Sequence, residues 1–260
     1  MKVNYSIVQE RRNHIMALIQ KLGEISVSTL AKEFSVSELT IRRDLQYWED
    51  KGAVLRHHGG VKFVQTMVNL NTEYLTNDKY KHAIAKYAAQ YVNDGDTIFI
   101  NTSSTALLTI QYIINKRVIV ITNNAKAVQL KHDPLLSIVL TGGELRFPKE
   151  SMVGDFAMNN LKRVRANKCF LGCSGISHKD GITTAIMAEA SINETMIERT
   201  TGERFILCDY TKVGNKHSFL SGNISDINYL ISDINADDEE IEKIKEANVE
   251  VIKLTPLLKY

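Results

Sequence analysis

The fold is decided by the stretch Phe34-Ser35-Val36-Ser37-Glu38-Leu39-Thr40-Ile41-Arg42-Arg43-Asp44-Leu45-Gln46-Tyr47-Trp48. This stretch predicts a tight turn followed by an amphipathic helix, because the Ser37 side chain can cap the free amides of a first helical turn. Ile41, Leu45 and Trp48 are spaced i, i+4, i+7, so they share one face and should pack inward. The opposite face carries Thr, Arg, Gln and Tyr side chains, which suits a DNA major groove.

Arg43 should point away from the apolar face, with Arg42 to one side of it. An arginine can make a bidentate contact to guanine, and Thr or Leu side chains can meet a thymine methyl. A solvated helix face is the alternative interpretation, because paired arginines are common on protein surfaces. The segments on either side of the helix favour DNA.

Residues 6–22 predict a helix that ends at Gly23, and Ser28 is expected to cap a second helix. Two helices joined by a short turn form a helix-turn-helix. After Gly52, strand-like residues surround a basic cluster over 53–61, which predicts a wing. The candidate DNA contacts are Ser37, Leu39, Thr40, Arg42, Arg43, Arg56, His58, Gly59 and Lys62.

The composition indicates a globular protein, because 44% of the 260 residues are hydrophobic and 24% are charged. This length accommodates one large or two ordinary domains. No apolar run approaches the roughly 20 residues of a membrane span. The 3 cysteines, an odd number, favour a reducing cytoplasm over a disulfide framework. Residues 1–65 carry a net charge of +3 and the remainder −1, which permits a nucleic-acid partner for the first part.

The rest of the chain predicts a mainly parallel α/β sheet, because near-continuous apolar strands alternate with helices. We therefore expect a winged helix-turn-helix over 1–62, a linker over 63–76 and an α/β effector-sensing domain over 77–260. The predicted helices cover 79–92, 103–115, 123–131, 187–200 and 237–248. The predicted strands cover 97–100, 118–121, 137–140, 169–172, 205–208, 229–231 and 249–252.

Small polar residues follow several of these strands, and parallel sheets bind ligands at the carboxyl ends of their strands. Hydroxyls and free amides at a helix N-terminus suit an anion, so the pattern predicts a phosphorylated small molecule. Ordinary helix capping by Ser, Thr and Asn is the alternative. The candidate effector contacts are Asn101, Ser103, Ser104, Thr105, Thr122, Asn123, Asn124, Thr141, Gly142, Gly143 and Lys212.

The residues from Val36 to Leu45, then Gly52, then Arg56-His57-His58-Gly59-Gly60, resemble the signature of the DeoR family of bacterial transcription regulators. That signature is Val-Ser-x-x-Thr-Ile-Arg-Arg-Asp-Leu before a wing that ends in His-Gly-Gly. The resemblance implies a winged helix-turn-helix, sequence-specific DNA binding and usually repression. We therefore expect operator DNA as a partner.

The second half also resembles this family, whose sensor domains show Thr-Asn, Thr-Gly-Gly and Asp-x-x-Lys after successive strands. These domains resemble ribose-5-phosphate isomerase and CoA-transferase folds and sense phosphorylated sugars or related metabolites. Asn101 stands where the family usually has Asp, and Ser103 where it usually has Gly. The resemblance implies effector contacts more firmly at Thr105, Asn123, Gly142, Gly143 and Lys212 than at Asn101.

The main alternative is a sugar-phosphate isomerase, which would need a general acid and base near the ligand. Asn101 cannot act as a base, and Asp209 and Glu189 are the conceivable candidates. A DNA-reading segment has no role in an isomerase, so we predict no catalytic residue. An RNA-binding adaptor is disfavoured because no aromatic stacking platform is visible.

No metal or cofactor is expected. The pair His57-His58 lacks further ligands, and Cys169, Cys173 and Cys208 suit small buried thiols better than a metal or redox site.

Helix-turn-helix proteins commonly place two DNA-binding units on two half-sites of the DNA. We therefore expect a homo-oligomer in the cytoplasm, and the resemblance to the DeoR family implies a regulator, usually a repressor, of a carbohydrate-utilisation operon.

Overall fold

The structure is a computed structural model that describes residues 5–49, 54–57, 60–63, 78–147 and 149–257. The chain divides into two compact units, Met1–Leu75 and Thr76–Tyr260. The predicted DNA contacts His58 and Gly59 and the predicted helix end at Gly52 lie outside the described residues. So does the predicted 63–76 linker, except for Phe63, which ends a strand.

The first unit contains three helices and a small antiparallel sheet. The helices are α1 (Tyr5–Leu22), α2 (Val27–Glu33) and α3 (Glu38–Glu49). The strands are β1 (Glu24–Ile25), β2 (Val54–His57) and β3 (Gly60–Phe63), in the order β1-β3-β2. This arrangement confirms the predicted winged helix-turn-helix, with β2 and β3 as the wing.

The ends of these helices follow local capping rules. Gly23 adopts a φ of +76° and donates its N–H to the carbonyl of Ile19 at 2.8 Å, which ends α1 as predicted. Ser37 Oγ accepts the N–H of Thr40 at 3.2 Å, so the predicted cap of α3 is confirmed. The predicted cap at Ser28 is wrong: Ser26 Oγ accepts the N–H of Thr29 at 3.0 Å, which starts α2 at Val27.

The core of the first unit lies between its three helices and the wing. Ile41 and Leu45 of α3 are fully buried, as their spacing predicts, and Trp48 packs half-buried at the edge. Burying one such aliphatic side chain contributes roughly 1.5–3 kcal/mol to stability. The other buried apolar residues of this core are Ile15, Met16, Ile19, Ile25, Leu30, Val54 and Val61.

The second unit is built on a 7-stranded sheet in the order β15-β14-β12-β9-β4-β5-β6. All neighbouring strands of this sheet pair in parallel, which confirms the predicted fold class. Its strands are β4 (Thr97–Ile100), β5 (Val118–Thr122), β6 (Leu136–Leu140), β9 (Lys168–Leu171), β12 (Arg204–Leu207), β14 (Tyr229–Asp233) and β15 (Glu250–Leu254).

Helices cover both faces of this sheet. One face packs against α4, described over 78–88, and α5 (Ser104–Leu108), around the stacked rings of Phe170 and Phe205. The other face packs against α6 (Asp155–Lys162), α7 (Met187–Glu198) and α8 (Asp238–Glu246). Strands buried on both faces explain the continuous apolar runs in the sequence.

The structure adds α6 and five strands to the predicted elements. β7 (Glu144–Arg146) pairs with β8 (Ser151–Val153), and a second antiparallel sheet contains β10 (Gly175–Ser177), β11 (Gly181–Thr184) and β13 (Phe219–Gly222). The predicted helix 103–115 is α5 followed by a 3-10 turn, Thr109–Tyr112. The predicted helix 123–131 is only a 3-10 turn, Ala125–Gln129.

The second of these differences has its cause in a distant strand. The carbonyl of Asn123 accepts the N–H of Met152 at 2.7 Å, so backbone pairing with β8 holds this segment extended. A helix therefore cannot begin at Asn123. Among the described residues, no helix is both long and apolar enough to cross a lipid bilayer.

Candidate DNA interface and effector site

The outer face of α3 is open to solvent. Leu39 is 60% exposed, and Ser37, Arg42, Arg43 and Gln46 are exposed beside it. The guanidinium of Arg42 lies 3.7 Å from the Glu38 carboxylate, whereas that of Arg43 makes no hydrogen bond or ion pair within the described part of the chain. Arg43 is therefore the side chain on this face that is best placed to meet a base edge.

The inner face of α3 carries a buried carboxylate that our sequence reasoning missed. Asp44 is 2% exposed and accepts hydrogen bonds from Arg11 Nε at 2.7 Å and Arg12 Nε at 2.9 Å. Arg12 also stacks 4.4 Å above the Tyr47 ring, and its carbonyl accepts the indole N–H of Trp48. The sequence signal was available: Asp44 follows Ile41 by three residues, so it had to face the core and needed a cation.

The structure changes the interpretation of the wing residue Arg56. Its Nε donates to Glu49 Oε2 at 2.7 Å, and the guanidinium also bonds to Gln46 and, at 3.4 Å, to the Arg42 carbonyl. The hydrogen bond from Arg56 lowers the pKa of Glu49, which keeps the pair ionised at neutral pH. Arg56, predicted only as a DNA contact, thus ties the wing to α3.

Lys62, the next basic residue of the wing, is exposed on β3. Its backbone pairs with Leu55 and Glu24 of the two neighbouring strands. Its ammonium forms no ion pair with any described residue, so it is available to a phosphate.

In the second unit, the parallel register brings the polar strand ends to one edge of the sheet. Ile100 pairs with Phe170, Leu171 pairs with Ile206, and Ile100 also pairs with Thr122. The residues that follow β4, β5, β9 and β12 consequently meet at the carboxyl edge. This is the place where parallel α/β sheets bind ligands.

Asn101 is committed to the scaffold of this edge. Its Nδ2 donates to the Gly172 carbonyl at 2.8 Å and to Asn193 Oδ1 at 2.9 Å, and its Oδ1 accepts from the N–H groups of Gly172 and Ser103. An asparagine amide has two donors and one oxygen with two lone pairs. Every hydrogen-bonding position of Asn101 is therefore used, and we no longer assign it to the effector.

Other predicted effector residues also have structural roles. Ser103 caps α5, and Asn124 caps the 125–129 turn while donating to the Thr102 carbonyl at 3.3 Å. Thr122 Oγ1 accepts the N–H of Asn124 at 3.1 Å. The carbonyl of Thr141 accepts from Asn160 at 2.9 Å. These contacts fix the backbone of the segments that form the carboxyl edge of the sheet.

The glycine pair after β6 is required by close packing. Gly142 and Gly143 have φ of +69° and +113°, and a Cβ on Gly143 would lie 2.5 Å from the Val153 carbonyl oxygen. A side chain at Gly143 would collide with the backbone of Val153, so this glycine lets the end of β8 approach the segment that follows β6.

Three of the predicted effector residues keep a free or reachable group. Ser104 is exposed at the first position of α5, whereas Thr105, the next residue, is buried. Lys212 ends the 3-10 turn Tyr210–Lys212, and its ammonium makes no bond within the described ranges. The side-chain oxygen of Asn123 is buried and accepts no hydrogen bond from any described group.

A charged pair at the same edge joins Glu189, which the sequence had marked only as a conceivable acid or base, to Lys149, which the sequence had not marked. Lys149 Nζ lies 3.0 Å from Glu189 Oε2, and Thr184 Oγ1 donates to the same oxygen at 3.3 Å. Glu189 is 4% exposed, in the first turn of α7. Lys149 carried no sequence signal, because it lies between the unpredicted strands β7 and β8.

The cysteines and one groove of the second unit offer no site for an anion. Burial raises the pKa of Cys169 to about 11, and a hydrogen bond to Cys173 together with burial raises that of Cys208, so both thiols stay protonated. A groove of about 500 Å³ carries the carboxylates of Glu194, Glu198 and Asp226, which repel a phosphate. The described residues include no His, Cys, Asp and Glu group arranged to hold a metal ion.

Two family descriptions match the chain. The DeoR-like helix-turn-helix domain matches residues 11–67, and the DeoR C terminal sensor domain matches residues 76–234. One match lies in each of the two units.

Curated proteins match over nearly the whole chain. An uncharacterized HTH-type transcriptional regulator, YulB of Bacillus subtilis, is 32% identical over 94% of this chain and 96% of its own. The HTH-type transcriptional regulator GolR of Listeria innocua is 30% identical over 93% of this chain and 97% of its own. A lactose phosphotransferase system repressor of Staphylococcus aureus is 28% identical over 91% of this chain and 96% of its own.

A solved structure of ribose 5-phosphate isomerase A from Methanocaldococcus jannaschii is 19% identical and matches with a TM-score of 0.37. It covers 52% of this chain and 54% of that one. A likeness of this size supports no conclusion about the site.

Proposed function

Because this chain belongs to the DeoR family of transcription regulators, we propose that it represses a carbohydrate-utilisation operon under the control of a phosphorylated sugar or sugar-like acid. The observation that carries the proposal is that one chain has both an exposed arginine, Arg43, on α3 and a lysine, Lys212, at the carboxyl edge of the parallel sheet. The ammonium of Lys212 makes no bond to any described residue. The printed name of one relative, a lactose phosphotransferase system repressor, supports the carbohydrate assignment. The chain is a regulator with a DNA-binding domain and a sensor domain, so we set the isomerase alternative aside.

For DNA, we assign the outer face of α3 to the major groove. Ser37, Leu39, Thr40, Arg42 and Arg43 belong to this face, and Lys62 supplies a phosphate contact from the wing. His58 and Gly59, outside the described residues, keep their predicted role as DNA contacts. Arg56 acts as a positioning residue that holds the wing against α3.

We expect Arg43→Ala to reduce operator affinity by about 1–3 kcal/mol and to relax preference at one base pair, because a bidentate arginine contact to guanine is lost. The measurement is competition binding against a set of operators with single base-pair changes. Arg163→Ala, in the second unit, is the control and should bind as wild type. Unchanged affinity and preference in Arg43→Ala would remove this side chain from base readout.

We expect Lys62→Ala to weaken binding to all sequences equally and to lower the slope of log affinity against log salt by about 0.9, the value for one lost phosphate contact. Fluorescence anisotropy between low and moderate salt measures the slope. Lys245→Ala, in the second unit, should leave it unchanged. A slope equal to wild type in Lys62→Ala would place the wing lysine away from the DNA.

For the effector, we assign the phosphate to Lys212 and to the Ser104 and Thr105 end of α5, together with Asn123, which follows β5. Asn101, Ser103, Thr122, Asn124, Thr141, Gly142 and Gly143 shape this edge and are assigned to its scaffold. Lysine offers a compact positive charge, and α5 and its neighbours offer hydroxyls and free amides.

We further propose that the protein acts in the cytoplasm as a homo-oligomer. The DNA-binding units of two copies, its reading heads, would bind two half-sites of the operator DNA. The effector must favour one arrangement of these heads, because a ligand without differential affinity shifts no equilibrium.

The test of the function is operator binding by the full chain, with the operator selected from random-sequence duplexes, in the presence and absence of common sugar phosphates. We expect at least one sugar phosphate to change the affinity. Sequence-independent DNA binding would contradict the regulator assignment, and a lack of response to every sugar phosphate would contradict the effector assignment.

A further inference from the structure

A buried carboxylate at the sensor edge has one oxygen that is fully bonded and one that is not. Glu189 Oε2 accepts from Lys149 at 3.0 Å and from Thr184 at 3.3 Å. Glu189 Oε1 is buried and accepts no hydrogen bond from any described group. Leaving such an oxygen without a donor is costly, since a buried polar group has given up its water.

Two sets of backbone and side-chain contacts connect the surroundings of Glu189 to the edge where the effector is proposed to bind. Asn193, one turn after Glu189 on α7, accepts a hydrogen bond from Asn101 at the end of β4. Lys149, the partner of Glu189, lies two residues before Ser151, which pairs with Asn124 at the end of β5. These contacts connect α7 to the end of β4, and the segment that carries Lys149 to the end of β5.

A second acceptor at this edge has the same property. Asn123 Oδ1, after β5, is also buried without a donor among the described residues, while its Nδ2 donates to the Met152 carbonyl at 3.1 Å. Both unbonded atoms are oxygens that can only accept, given how their side chains are engaged. The chemistry that complements them is a ligand with several O–H donors.

The charges define which donor fits. Lys149 already balances the charge of Glu189. A neutral hydroxyl therefore suits the unbonded oxygen, Oε1, better than a second cation would. A phosphate dianion offers acceptors and negative charge, and the carboxylate would repel it. The phosphate of the ligand must therefore lie away from Glu189.

We propose that Glu189 recognises a hydroxyl group of the effector, with the phosphate held at the opposite end by Lys212. This inference rests on the proposed function and deepens it, because it makes the effector a polyhydroxylated phosphate bound in one orientation. Glu189 Oε1 is shielded in this structure, and Lys149, whose side chain is 47% exposed, is the solvent-facing partner of the other carboxylate oxygen, Oε2.

The test compares two kinds of probe on the full chain by calorimetry. Glucose 6-phosphate, galactose 6-phosphate, fructose 1-phosphate and ribose 5-phosphate report on the whole site, and inorganic phosphate reports on the phosphate end alone. We expect Glu189→Gln to weaken the best-bound sugar phosphate about 10-fold to 100-fold, the loss of one hydrogen bond to a charged acceptor. Inorganic phosphate should bind within about 2-fold of wild type, since no hydrogen bond to it is lost.

Glu194→Gln is the matched control, because it makes the same change on an exposed position of the same helix. It should bind both probes as wild type does. If Glu189→Gln does not fold, as judged by its thermal melt, Glu189→Asp replaces it. That variant keeps the charge beside Lys149 but withdraws the oxygens, and we expect the same loss for the sugar phosphate alone.

Each outcome has one meaning. Sugar phosphate binding equal to wild type in the Glu189 variants would overturn the inference and leave the proposed function intact. Equal weakening of both probes would overturn it as well, because it would indicate a general structural role. A wild-type chain that bound none of the four sugar phosphates would overturn both the effector class and this inference.

Discussion

Lys212→Ala is expected to abolish the response of operator binding to the effector while leaving operator affinity in its absence unchanged. Lys212 ends the turn that follows β12, at the carboxyl edge of the sheet. Its ammonium has no partner within the described residues. Removing it takes away the positive charge assigned to the phosphate. A typical coupling energy of 1–3 kcal/mol corresponds to roughly 5–150-fold control of DNA binding, all of which should disappear.

The measurement is an operator titration with and without the active sugar phosphate, for wild type and variant. Lys216→Ala is the matched control, because Lys216 lies four residues away and pairs with Asp180 at 3.6 Å on the surface. The control should keep the full response. A response retained in Lys212→Ala would discard this lysine as a ligand contact.

Asp44→Ala is expected to lower the free energy of unfolding of the DNA-binding unit by roughly 3–5 kcal/mol, the range for breaking a buried ion pair by removing one partner. Asp44 is almost fully buried, and it bonds two arginines that are themselves mostly buried. Without the carboxylate, Arg11 and Arg12 keep their charges close together with no counter-charge. A loss of this size is a large part of the stability of a small domain, so DNA binding should fail too.

Urea unfolding followed by the fluorescence of Trp48, the single tryptophan of the chain, measures this loss. Glu38→Ala removes an exposed carboxylate from the same helix and its 3.7 Å contact with Arg42, so it should cost less than about 1 kcal/mol. Similar destabilisation by both changes would contradict the buried ion-pair assignment. A sensor unit that unfolded at the same denaturant concentration in all three proteins would show that the effect is local.

The sequence by itself determined the elements whose cause is local. The apolar spacing of Ile41 and Leu45 and the cap at Ser37 predicted α3, and the continuous apolar runs predicted the strands of the parallel sheet. These features depend on residues within one or two turns, and they were enough for the fold class and for the choice of a DNA-reading helix. The effector residues could be assigned to one sheet edge for the same reason, since parallel strands end together.

Only the tertiary structure decided how the individual side chains are used. Arg56 and Glu49 lie seven residues apart, and Asn101 and Gly172 lie 71 apart, so no local pattern could show that they bond. Lys149 and Glu189 are separated by 40 residues and meet because β8 pairs with the end of β5. Whether a polar side chain is free for a ligand depends on which distant groups already satisfy it, and the folded chain alone fixes those partners.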